Sequence, residues 1–178
     1  MTSSLSCGSV SSSGMKFLSA FFLGLLLLVS GHDSTFAADA DITKAQALKA
    51  IDVFQKDPTS KDGFAAASTF MAFAAKSPTV HISISKAVVP WKKDKDASDA
   101  DTRKILLAAY VAGNLESQLK GGHAVDDVYA GWEQVLTTYT QLLHINSAAK
   151  ISEVDDLRVK DEHGELRAYA AEMAKKTD

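Results

Sequence analysis

Cysteine is nearly absent from this chain: the single one, Cys7, stands ahead of an apolar run near the N-terminus. From residue 38 onward there is neither thiolate nor disulfide, which excludes cysteine nucleophiles, cysteine-ligated zinc and redox roles there. Glycine never clusters into a phosphate loop, and no His-Glu-x-x-His or Gly-x-Ser-x-Gly turn occurs from that point on. A large charge of one sign is missing too. The formal net charge of −3 gives no electrostatic reason to expect a nucleic acid or an anionic membrane as partner.

Residues 1–37 differ in character from the rest. Met15-Lys16 precedes an apolar run from Phe17 to Val29, interrupted by Ser19, Ala20 and Gly24, and a polar stretch then leads to Thr35-Phe36-Ala37. A positive n-region, an apolar h-region and a small-residue cleavage site predict a secretion signal cut after Ala37. The run is about a dozen residues, short of the roughly 20 that span a bilayer; a retained anchor is the alternative. Residues 1–14 are Ser-rich and uncharged, so translation starts at Met15 or the n-region is long. Leu28-Val29-Ser30-Gly31 would suit a lipid-modified cysteine, but His32 follows, and no acylation is expected. The signal resembles the general bacterial secretion type, which implies a periplasmic or secreted product.

The remainder, 38–178, has the size of one domain. Ile42, Ala45, Leu48, Ile51 and Phe54 recur at helical spacing, with Thr43 and Gln46 in capping-box positions, Asp41 as an alternative cap, and Asp57-Pro58 as the stop. A second helix follows Thr59-Ser60 on a stripe of Phe64, Ala67, Met71 and Ala74, widened by Phe70 and Phe73, and ends at Ser77-Pro78. The short polar turn between them predicts an antiparallel hairpin. Over 79–90 the pattern alternates, Val80, Ile82 and Ile84 against His81, Ser83 and Ser85. It reads as a strand or as an extended connector laying three aliphatic residues on the core.

After the charged loop 92–99 a third helix begins at Ser98 or Asp99, apolar on every side from Ile105 to Ala112 as in a buried helix. Its second half reads as one-sided, Leu115 and Leu119 inward and Glu116, Gln118 and Lys120 outward, ending at Gly121-Gly122. A fourth helix carries Val125, Val128, Trp132, Val135, Tyr139 and Leu142, with Asp126 and Asp127 in its first turn. A tight turn at Gly121–Ala124 would make it the antiparallel neighbour of the third. That register puts Gly113 opposite Trp132, as though the glycine made room for the indole. In the tail, Ile151, Val154 and Leu157 mark one helix and Leu166, Tyr169, Ala170 and Met173 a stronger one, with Gly164 between.

Few residues suggest chemistry. His123, Asp126 and Asp127 are spaced to face one metal ion, and equally to be a turn histidine followed by two acids at the positive end of a helix. Glu162, His163 and Glu165 surround Gly164 in what reads as solvated surface, and neither His81 nor His144 has an acidic partner at helical spacing. Trp91, between Pro90 and Lys92-Lys93, reads as a surface contact or as an anchor for the connector. With Tyr110 and Tyr139 it forms the candidate ligand or partner contact. No catalytic residue and no cofactor is assigned.

The expected fold is all-α: two antiparallel helical hairpins plus a C-terminal helix, with a connector over about 79–90. The expected function is an exported, non-enzymatic module that binds another protein or assists an envelope process. The alternative is a small-molecule binder with a pocket near Trp91, Tyr110 and Tyr139, and an enzyme of unspecified type is third.

Overall fold

The computed structural model describes residues 41–92 and 99–177. The expected secretion signal, Cys7 and the candidate cap Ser98 lie outside the described residues. Six helices follow in order: α1 (Lys44–Lys56), α2 (Lys61–Lys76), α3 (Ala100–Gly121), α4 (Val128–Ile145), α5 (Ser152–Glu162) and α6 (Leu166–Ala174). Among the described residues there is no strand, and no helix is long and apolar enough to cross a membrane.

Local chemistry sets the helix ends. The Thr43 side chain accepts from the Gln46 N–H while the Gln46 side chain returns to the Thr43 N–H, so α1 opens on a full capping box. Ser60 caps α2 through the Gly63 N–H. Gly122, at φ 70°, takes the left-handed turn that closes α3. Gly164, at φ 72°, separates α5 from α6. The C-terminal segment is thus two helices rather than one.

The hairpins α1–α2 and α3–α4 are the principal pairings, and α3 also touches α1 and α2 while α4 carries α5 and α6. Central placement explains the all-round apolar first half of α3: Leu106, Ala109, Tyr110 and Leu115 are all fully buried.

Four expectations need correction. In α2 the expected stripe holds except at its start: Ala67 and Phe70 are buried and Met71, Phe73 and Ala74 pack against the core, but Gly63 and Ala66 take the inward positions in place of Phe64, which is 49% exposed. The cause is close approach: a Cβ on Gly63 would lie 2.2 Å from the Asp57 carbonyl oxygen, so the bare glycine backs onto the turn and Phe64 rotates out. Helix α4 starts only at Val128, because Asp127 is its cap, through the Ala130 N–H at 3.0 Å, and Val125 is left 60% exposed ahead of it. Gln118 is buried, not outward. The segment 79–90 is the extended connector and not the strand, with Val80 and Ile82 packed against the core as expected; the departure is Ile84, 43% exposed, while Val88, Val89 and Trp91 are the fully buried side chains.

The register of α3 against α4 is close to that expected, with a different reason for Gly113. A Cβ there would meet the Ala130 carbonyl oxygen at 2.3 Å and the Gln134 Cβ at 2.7 Å. The glycine admits the backbone of α4, not an indole. Its counterpart is Gly131 on α4, where a Cβ would strike the Tyr110 ring at 2.6 Å.

Candidate functional site

An irregular connector cannot satisfy its own backbone groups, so side chains must do it. Gln118 accepts from the His81 N–H at 2.9 Å and donates to the His81 carbonyl at 2.6 Å, copying a main-chain pairing. The Gln118 amide also donates to Asn114 Oδ1 at 2.6 Å, and that oxygen accepts the Asp127 N–H at 3.1 Å. Asn114 donates in turn to Asp126, whose other oxygen takes the Ser83 N–H at 3.1 Å. Asp127 accepts from Ser117 as well as capping α4. Two buried amides on α3 and two acids ahead of α4 thus form one network that clasps the connector. Every member is partnered, which is what makes polar groups tolerable in a core.

This network absorbs two of the three metal candidates. Asp126 and Asp127 point into it, whereas His123 is exposed and folds back over Gly121. Among the described residues no group of three potential ligands converges.

Trp91, Tyr110 and Tyr139 are all buried. Trp91 packs edge-on against Tyr110 with ring centres 6.3 Å apart, and Arg103 donates to the Trp91 carbonyl at 2.6 Å, anchoring the connector on α3. Tyr139 stands apart, its hydroxyl accepting the Ile151 N–H at 2.9 Å where α5 begins.

The Tyr110 hydroxyl lies near the Asn114 amide yet makes no hydrogen bond of normal geometry among the described residues. Burial, reinforced by the Asp126 charge, raises its pKa well above the usual phenol value, and Asn114 opposes this only in part. A raised phenol favours the fold while both states are protonated. That contribution is lost as pH climbs above about 10, where the unfolded chain ionises first. In an alkaline titration followed by phenolate absorbance, Tyr110 is expected to ionise only as the chain unfolds. Tyr110→Phe should move the alkaline unfolding midpoint upward. Reversible ionisation of all four tyrosines in the folded chain would contradict this.

What remains is surface, and α2 supplies its most unusual part. Between Asp62 and Lys76 the helix carries no charged residue, although Phe64, Ala65, Ser68 and Ala75 face outward. Surface helices ordinarily put charged residues on that side. The two hydroxyls there are turned onto their own helix, Ser68 donating to the Phe64 carbonyl at 3.1 Å and Thr69 to the Ala65 carbonyl at 3.0 Å. Beside this face runs a groove of about 310 Å³ between α2 and the connector, lined by Met71, Ala74, Ala75, Val80, Ile82 and Ile84 among others. Its walls are mainly aliphatic; among the described residues His81 is the one polar member of the lining, and its backbone is already held by Gln118.

Sequence reasoning missed this face because it assigned Phe64 to the core; Met71, on the same stripe, does pack against the core while also lining the groove. The available signal was the run of uncharged residues, longer than one buried stripe requires. No protein-family model matches the chain, and neither the curated proteins nor the solved structures contain a match to it.

Proposed function

We propose that this chain is an exported, non-enzymatic helical module of the cell envelope, periplasmic or secreted, that docks another protein on the outer face of α2. One observation carries the docking reading: an uncharged, outward-facing helix surface with Phe64 exposed near its start and, toward its end, an aliphatic groove edged by the exposed Ile84. Contiguous apolar surface of this kind is characteristic of interaction sites. The groove lacks the converging polar groups that orient a small ligand, which favours a protein over the small-molecule alternative. Export rests on the Met15–Ala37 pattern.

Photo-crosslinking in the natural host tests both parts. A photoreactive residue at position 64 is expected to give a discrete protein adduct, absent when Ala75→Glu charges the face. The same probe at Val159, exposed on α5, is the control. Intact mass of the adducted chain should begin at Ala38. No discrete adduct at 64, or a chain still carrying Met1 or Met15, overturns the corresponding part.

A further inference from the structure

We infer that the occupant of the α2 face is a second copy of this chain, an inference that rests on the docking reading above. A two-fold interface uses the same patch on both sides, so each protrusion must find a recess at an equal distance across the axis. Helix α2 has both. Phe64 protrudes, and the groove beside Met71 and Ala75 is the recess. Phe64, Met71 and Ala75 are spaced i, i+7 and i+11, which places them along one side of an α-helix. Phe64 and Ala75 are about 16 Å apart along it.

Antiparallel pairing about an axis near Thr69-Phe70 therefore brings the Phe64 ring of each copy to the Ala75 end of the other, on the side where the groove opens. Between the two rings Ser68 of each copy faces Met71 of the other, with Ala72 beside them, and the flexible methionine over a small residue lets the helix axes approach to roughly 8–10 Å. The back-bonded hydroxyls of Ser68 and Thr69 enter the contact already satisfied. Charge selects the direction. Antiparallel, the Asp62 end of one copy lies level with the Lys76 end of the other, both charges on the flank of the helix rather than in the contact, and the helix dipoles oppose. Parallel pairing would instead set Lys61 on Lys61, Asp62 on Asp62 and Lys76 on Lys76. A helix of 16 residues offers a strip about 24 Å long. Two such strips with two aromatic knobs fall at the small end of specific interfaces, roughly 1,000 Å², so the dimer should dissociate on dilution.

Sedimentation velocity on chain purified from the exported fraction tests this. Dimer is expected near 100 µM and monomer near 1 µM, with Phe64→Ala weakening association about tenfold and Ala75→Glu abolishing it. Since Cys7 is the only native thiol, a short bismaleimide should couple Ser68→Cys chains and not Val159→Cys chains, with the unsubstituted chain as blank. Far-UV circular dichroism checks that each variant is folded. Monomer across the whole range, or a dimer indifferent to both α2 substitutions, overturns the inference. A monomer that still gives the position-64 adduct in cells to a different protein leaves the docking reading standing without the second copy; loss of both removes both.

Discussion

Gly113→Ala is expected to destabilise the domain, by about 1–3 kcal/mol, although alanine is the better helix former by roughly 1 kcal/mol. The sign is the point. On an exposed helix face the substitution would stabilise. Here the new Cβ would lie 2.3 Å from the Ala130 carbonyl oxygen, and a helix backbone cannot swing aside as a side chain can. Relief requires α3 and α4 to separate, and that loosens the contact between Gly131 and the Tyr110 ring at the same interface. Gly113→Leu should cost about 3 kcal/mol or more by the same route. Urea unfolding followed by tryptophan fluorescence measures it as a lower midpoint at unchanged slope. An alanine variant as stable as the parent would show that the helices do not approach as described.

Trp132→Ala is expected to cost about 3–5 kcal/mol, the range for losing a large buried aromatic side chain. The indole joins three parts of the domain. It leaves α4 fully buried, donates Nε1–H to the Val88 carbonyl at 2.7 Å, and stacks on Tyr169 of α6 at 5.4 Å between ring centres. Trp132→Phe separates the contributions: most of the apolar contact is kept, but the buried Val88 carbonyl loses its donor, worth about 1–3 kcal/mol. Calorimetry of the two variants reads both. Equal losses for Phe and Ala would mean that the hydrogen bond dominates; a loss near zero for Phe would mean that Val88 finds another donor.

The helices were legible because their ends are chemical. Thr43 with Gln46, Ser60 and the Gly121-Gly122 pair each act locally, within one turn, so sequence spacing suffices to find them. Facing was less legible. Phe64 fits an inward stripe by periodicity, and only the close approach of Gly63 to the Asp57 carbonyl turns it outward. Gln118 looks like a solvated residue until the His81 backbone, far away in sequence, arrives to pair with it. Asp126 and Asp127 were recognisable as acids near a helix start. Their further work of holding Ser83, Asn114 and Ser117 depends on where the connector runs. Composition and spacing record what a residue does within its own turn. They do not record contacts that the chain makes after it has doubled back.

The clasp on the connector is blind to spelling. Gln118 and Asp126 hold the main chain at His81 and Ser83, not their side chains, so any residue except proline, which has no N–H to offer, would be gripped at those two positions. The path of the strap and the letters written on it are therefore independent. Descendants of this chain can rewrite the rim of the α2 groove, one side chain at a time, on a support that does not have to be rebuilt.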